Sequence, residues 1–297
     1  MNLKDLEYFK EIALEKSFTK VAEMFKVSQP TVTYAVKRLE NDLGTKLIIR
    51  DNSHKSIILT QAGKILEIHT EKIFQEINVT RTEINRLKDN VIKLGLPPII
   101  GNFCLPKLYP HLFKEGLMNH INLVNGGSND LYTLLMRGEI DIALLGSSHL
   151  ISDENLTSEL LIQNKFMIVV SASHPLAKEK SVSLSDLKEE KFVLLNHHYI
   201  HLNAFRNFSK YASFEPEIIY KSNDLNILKG MIRERVGIGF LTEIAMDKSD
   251  GLVYIPLNDE PQLNFNVFLV QRKVSLKSNY VNKIFNSIYT FYKSNQE

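Results

Sequence analysis

The segment Ser17–Gly44, SFTKVAEMFKVSQPTVTYAVKRLENDLG, decides how the first part of this 297-residue chain folds. Its middle, KVS, is too short for anything but a tight turn. Before it, Ser17 and Thr19 are candidate N-caps of a short helix that turns Val21, Ala22 and Phe25 inward. After it stands Pro30, which a helix interior would reject. The first helical turn accepts it, because that N–H has no intrahelical partner. Ser28 or Gln29 is then the cap. The helix continues with apolar groups at Val32, Val36, Leu39 and Leu43 and stops at Gly44. Two helices joined by such a turn, the second with polar groups outward, form the helix-turn-helix pattern. Upstream, Leu3, Leu6, Phe9, Ile12 and Ala13 predict one more helix. Downstream, KLIIRDNSHKSIILT holds two short β-prone runs around a polar turn and reads as a hairpin wing.

The second helix spends a face on groups that no core accepts. Gln29, Thr31, Thr33, Tyr34, Lys37 and Arg38 all lie off its apolar stripe. A plain solvated face would be rich in Glu, Lys and Ala, whereas Thr and Tyr cost a few tenths of a kcal/mol each in a helix. These side chains suit a DNA groove. Gln pairs with adenine, Thr meets a thymine methyl or a phosphate, and Lys and Arg bind guanine or phosphate. The helix start at Ser28–Pro30 adds free N–H groups and the positive end of the dipole, both of which favour phosphate. The expected DNA contacts are therefore Thr19, Ser28, Gln29, Pro30, Thr31, Thr33, Tyr34, Lys37 and Arg38, with Arg50 and Lys55 from the wing.

Charge supports that placement. The whole chain carries a net charge of only +2. Residues 16–64, however, hold nine Lys/Arg against four acids, so the positive excess is confined to this segment. A local basic patch on a near-neutral chain implies a polyanion partner for that patch alone. The apolar fraction of 44% is that of an ordinary globular protein. No apolar run approaches the ~20 residues that cross a bilayer, and the first residues lack a signal-peptide h-region. One cysteine, Cys104, excludes an internal disulfide. A cytoplasmic protein with no membrane partner is expected.

From Thr60 to about Asn90 the chain has no proline and no turn cluster. Leu59, Leu66, Ile73, Thr80 and Leu87 recur every seven residues. Gly63, Thr70, Ile77, Ile84 and Val91 form a second row four residues on. These rows have a coiled-coil a/d spacing over a helix about 45 Å long. Leu59, Leu66, Ile73, Ile77, Ile84 and Leu87 are the expected dimer contacts. The alternative is an amphipathic helix packed on its own domain. Beyond Val91, strands such as VIKLGL, INLVN, IDIALLG and KFMIVVSA alternate with helices, which implies α/β architecture.

The N-terminal segment resembles the winged helix-turn-helix of LysR-type transcriptional regulators. The resemblance is carried by SFT, by A-x-x-F-x-V-SQP-x-V-T, by LExxLGxxL and by LTQAG, over about 60 residues. CLPKLYPHLF, RGEIDIALLG, HPLA and VGIGFL follow in the order of that family's effector-binding domain, so the resemblance covers essentially the whole chain. There are departures. Val21–Ala22 stands for two alanines, Phe25 for leucine, and Lys26 for a turn glycine. Leu47-Ile48-Ile49-Arg50 replaces a Leu-Phe before the wing arginine. Within the family the chain is similar to regulators of malolactic fermentation in lactic acid bacteria, whose inducer is malate.

The resemblance implies an α/β fold in three parts. Residues 1–59 would be the winged DNA-binding domain and 60–90 a linker and dimerisation helix. Residues 91–297 would form two Rossmann-like lobes, about 92–164 with 269–297 and about 165–265, crossing near 165–168 and 266–268. It also implies double-stranded DNA, a small-molecule effector (an organic acid among the candidates) and a homodimer or homotetramer as partners. No enzyme activity, cofactor or metal is implied. The effector would sit between the lobes, against loops at strand ends and helix N-termini. The expected contacts are Pro98, Ile99, Ser128, Asn129, Ser147, Asn196, His197, His198 and Phe240. Pro97-Pro98 removes a hydroxyl and two N–H donors that family members use for an acid at this loop. In HHYIH, His197, His198 and His201 read as effector contacts, plain loop residues or, at short spacing, metal ligands. No Cys/His/Asp cluster accompanies them. The alternatives are an α/β small-molecule-binding protein or enzyme, which lacks a nucleophile elbow, Walker loop or GxGxxG here, and a nonspecific architectural DNA binder.

Overall fold

The computed structural model describes residues 1–51, 56–86, 91–213, 215–247, 249–273 and 279–295. The chain divides into two compact units, 1–81 and 82–297.

The first unit begins with helices α1 (Leu3–Glu15), α2 (Phe18–Met24) and α3 (Gln29–Leu43). Each start has a side-chain cap. Asn2, Ser17 and Ser28 accept from the N–H groups of Lys4, Lys20 and Thr31, as polar residues before a helix do. Leu6, Phe9, Ile12, Val21, Val32, Val36 and Leu39 are buried. Leu43, expected on the inner stripe, is exposed. Glu40 is buried in its stead, and its carboxylate accepts from Leu47 N–H and from Lys46 Nζ. Those bonds are what permit a carboxylate inside. Strands β1 (Ile48–Asp51) and β2 (Ser56–Leu59) pair antiparallel, Ile48 opposite Leu59, as the wing.

Helix α4 (Gln61–Arg86) follows. Thr60 Oγ1 accepts from Gly63 N–H at 3.0 Å and donates to the Lys46 carbonyl at 2.7 Å. A Cβ at position 63 would lie 2.2 Å from the Leu47 carbonyl oxygen. LTQAG is thus a cap and a close approach in one, and only glycine fits.

The second unit holds β3 (Ile92–Leu96), α5 (Pro98–Lys114), β4 (Ile121–Asn125), α6 (Ser128–Met136), β5 (Ile142–Ser147) and β6 (Leu156–Ser171). It continues through β7 (Lys191–Leu195), α7 (Ile200–Tyr211), β8 (Glu217–Ser222), α8 (Leu225–Arg233) and β9 (Gly239–Thr242). It ends with β10 (Leu252–Pro256), β11 (Asn264–Arg272) and α9 (Asn279–Ser294). Parallel β4, β3 and β5 continue into antiparallel β11 and then β6.

Strand β6 belongs to two lobes. Its first half, through Lys165, pairs with β11. From Phe166 on it pairs instead with β9 and β10. Strand β11 rejoins the first lobe from Asn264, slightly before the return point expected near 266. Parallel β7 and β8 complete the second lobe, with a bridge from Phe192 to Ile238 at the start of β9.

Candidate functional site

Helix α3 presents the expected polar face. Gln29, Pro30, Thr31, Tyr34, Lys37 and Arg38 are exposed, Thr33 is half-buried, and Thr19 is exposed on α2. Ser28 Oγ lies 2.8 Å from Thr31 Oγ1 and 3.4 Å from Thr31 N, so cap and first turn are coupled. Lys37 Nζ sits 5.6 Å from the centre of the Tyr34 ring, a cation–π contact on the same face.

The two adjacent cations differ. Arg38 makes a two-pronged contact with Asp5, Nε to Oδ2 at 2.9 Å and NH2 to Oδ1 at 2.6 Å. Asp5 is buried in α1. The hydrogen bond to Asp5 holds the Arg38 guanidinium pKa above its usual value. Arg38 therefore braces α3 against α1, a role its sequence position did not reveal. The Arg50 backbone pairs with Ile57 in the wing. Lys55 lies outside the described residues. The turn residue Lys26 has φ 53, left-handed as expected for a glycine position.

The seven-residue row on α4 turns inward over its first half. Leu59 and Leu66 are buried with Leu6, Phe9, Leu39 and Leu47, and Ile73 packs against that cluster. Thr70 is fully buried as well. Periodicity found the row but could not tell which partner it faces, and the domain's own core claims it. Ile77 is half-buried, Ile84 is exposed, and Leu87 lies outside the described residues. A different apolar face is left open. Ile65 is 55% exposed and Ile68 58% exposed, and Ile68 shares a surface groove with Ile58 of the wing.

The second unit has a cavity between its lobes, lined by Pro97, Ile99, Ile100, Ser128, Tyr199, Ile200, His201 and Phe265. Its volume is about 10 Å³, room for about one water. Helices α5, α6 and α7 all begin there. None has a side-chain cap bond at its start, the cap residues being Pro97, Gly127 and Tyr199. Their first-turn N–H groups, which in α5 begin only at Ile99 because Pro98 has none, and their dipole ends therefore meet there without a side-chain cap. The rim is shut. A Cβ at Gly127 would fall 2.1 Å from the His198 carbonyl oxygen, and His198 Nδ1 lies 3.2 Å from Asp130 Oδ2.

Of the expected effector contacts, Ile99 and Ser128 line this cavity, and Pro97 does so rather than Pro98. Ser128 Oγ accepts from Gly146 N–H at 3.0 Å. His198 is at the rim. Asn196 Oδ1 accepts from His198 N–H, His197 and Asn129 are exposed, and Ser147 Oγ is turned to His149 N–H. Phe240 is not a cleft wall, because its ring is stacked on Phe166 in the core, centroids 4.9 Å apart. Tyr199 and Phe265 line it without having been expected, and His201, which in HHYIH reads as an effector contact, a plain loop residue or a metal ligand, lines it too. Among the described residues no group of three His, Cys, Asp or Glu is placed to hold a metal ion.

Residues 3–64 match the model of the bacterial regulatory helix-turn-helix proteins of the lysR family, and residues 85–289 match that of the LysR substrate binding domain. The chain is 38% identical over 281 residues to the malolactic fermentation system transcriptional activator of Lactococcus lactis subsp. lactis (strain IL1403), covering 94% of each. It is 26% identical over 288 residues to a hydrogen peroxide-inducible genes activator of Escherichia coli O157:H7, covering 94% of this chain and 92% of that one. Its fold is similar to full-length BenM, with a TM-score of 0.56 and 24% identity, over 100% of this chain and 98% of that one.

Proposed function

The chain belongs to the LysR family of bacterial transcriptional regulators, and from that premise we propose how its parts divide the work. Helix α3 reads an operator in the major groove. Thr31, Thr33, Tyr34 and Gln29 select bases, while Lys37, Arg50 and Lys55 bind phosphate. The observation that carries this reading is the exposed polar face of α3, with its capped start and its brace to α1. A second copy of the chain packs on the Ile58, Ile65 and Ile68 face, so that two wings meet a dyad-related site. The cleft between the lobes binds a small molecule, and binding shifts the population of DNA-bound states.

The relative named for malolactic fermentation favours activation of genes of organic-acid metabolism, with malate as the first ligand to try. The peroxide-inducible relative suggests a different signal. Thiol chemistry is a poor fit here. Cys104 is fully buried, and burial pushes its thiol up to about 11, so little thiolate is available to react.

The test is a binding titration of DNA from the gene's own upstream region against random competitor. Displacement by random DNA at equal concentration would overturn the reading. A thermal-shift screen of small metabolites tests the cleft, since a ligand at 100 times its Kd adds about 2.7 kcal/mol.

A further inference from the structure

His201 is 3% exposed, and among the described residues neither of its ring nitrogens has a hydrogen-bond partner. Its ring lies in the inter-lobe cavity, edge-on to Phe166 at 5.6 Å and tilted against Phe265 at 5.4 Å. Buried polar groups are normally paired, and one left unpaired at a cavity wall calls for an explanation. The first turns of α5, α6 and α7 meet at the same cavity without side-chain caps. An imidazole and three sets of N–H groups make a site of donors. No carboxylate is among the described residues that line the cavity, and Asp130, in the first turn of α6, is turned to His198 at the rim.

We propose that this cleft takes a small carboxylate and that His201 is the residue that touches it, one ring N–H donating to a carboxylate oxygen. The inference rests on reading the cleft as the effector site. The present cavity is too small for any acid, so entry parts the lobes at the Gly127–His198 contact and the His198–Asp130 pair.

Proton uptake follows. The groups facing His201 are Ile99 and Ile100 from α5, Ser128 from α6, Phe166 from β6, Phe265 from β11, and Tyr199 and Ile200 beside it. Tyr199 alone among these can ionise. Its hydroxyl donates away, to the Asn223 carbonyl at 3.0 Å, and burial raises its pKa. Burial alone lowers the His201 pKa to about 3, so the empty site holds a neutral ring. A carboxylate against that ring favours imidazolium by about 10- to 1000-fold, so ligand and proton bind together toward pH 5.5, while near pH 7.5 the ring stays neutral. Affinity then rises as pH falls, by up to about tenfold per unit where one proton is taken up.

The experiment is calorimetric titration of the full-length protein with lactate, malate and succinate at pH 5.5, 6.5 and 7.5, in buffers of different ionisation enthalpy, with lactamide and glycerol as uncharged controls. Lactate is decisive because it stays a monoanion across this range. The expected result is lactate or malate binding with uptake of up to one proton. His201→Gln should bind without proton uptake and without pH dependence, and His201→Phe, which suits the aromatic surroundings, should not bind. Carboxylate binding unchanged in His201→Phe would overturn the proposal, as would binding of none of the three acids. The cleft reading fails separately. If uncharged metabolites stabilise the protein and Ser128→Leu abolishes the effect, the cleft remains the effector site and only the carboxylate assignment falls.

Discussion

Helix α3 and the inter-lobe cleft both hold polar groups that no core can use, and they keep them in opposite ways. On α3 the groups are exposed, and one buried partner, Asp5, is fully paired with Arg38. In the cleft His201 is buried, and among the described residues neither ring nitrogen is paired. The first surface has its bracing hydrogen bonds made before its partner arrives. The second keeps an unmet hydrogen-bonding demand that a ligand can relieve, and such a demand is a source of coupling between binding and shape.

The largest effect expected from this contrast is acid sensitivity. Burial holds the folded-state pKa of His201 at about 3, below the ordinary 6.5. The unfolded chain therefore binds the extra proton between those values. Stability contributed by the neutral ring is complete above about pH 6.5 and is lost as pH falls toward 3, by up to about 1.4 kcal/mol per unit. Urea melts of His201→Phe should have a flatter acid limb than the wild type. An unchanged limb would mean that the ring already finds a partner, and the contrast with α3 would disappear.

The next effect lies on α4. Leu66→Ala empties part of a core and should cost about 2–5 kcal/mol by denaturant midpoint. Ile65→Glu with Ile68→Glu should leave the fold intact and lower the dimer fraction in sedimentation. Dimer loss with Leu66→Ala alone, at unchanged stability, would restore the seven-residue row as the pairing face.

Third comes the split between neighbouring cations. Arg38→Ala leaves the Asp5 carboxylate buried without its partner and should lower the melting temperature. Lys37→Ala should leave melting unchanged, weaken all DNA alike and reduce the salt slope by about one. Thr31→Ala and Tyr34→Ala should instead narrow the gap between operator and random DNA. The smallest effect is at Lys26, whose left-handed backbone costs about 1 kcal/mol. Lys26→Gly should be neutral or stabilising. Clear destabilisation would mean that the lysine side chain contributes more than its backbone costs.

The contrast also explains what could be read from the sequence. The winged domain is built from local signals. Ser28 before Pro30, a four-three-four apolar spacing and LTQAG each fix structure within a few residues. Leu43 and the Leu59–Leu66–Ile73 row misled because period alone does not say what a face packs against. The alternation of strands and helices was equally legible. The cleft was only half legible, because it is assembled from α5, α6, α7 and β11, which are far apart in the chain. Ser128 and Ile99 could be placed by the rule that ligands sit at strand ends. Phe265 and Tyr199 carried no signal. Arg38 looked like its neighbour Lys37 until Asp5, 33 positions away, was brought beneath it.

Strand β6 has a thermodynamic consequence of its own. Its 16 residues, about 53 Å at ~3.3 Å per residue, form one continuous backbone through two sheets. Its first half is the outer strand of the first lobe, paired with β11, and its second half lies between β9 and β10 in the second lobe, so neither lobe can melt without freeing one end of a strand the other lobe holds. Calorimetry of the whole chain should therefore resolve two endotherms at most, one for each compact unit, with no separate transition for either lobe. Any rearrangement at the cleft must likewise be absorbed as twist along paired strands, so its amplitude is set by the torsional stiffness of the sheet.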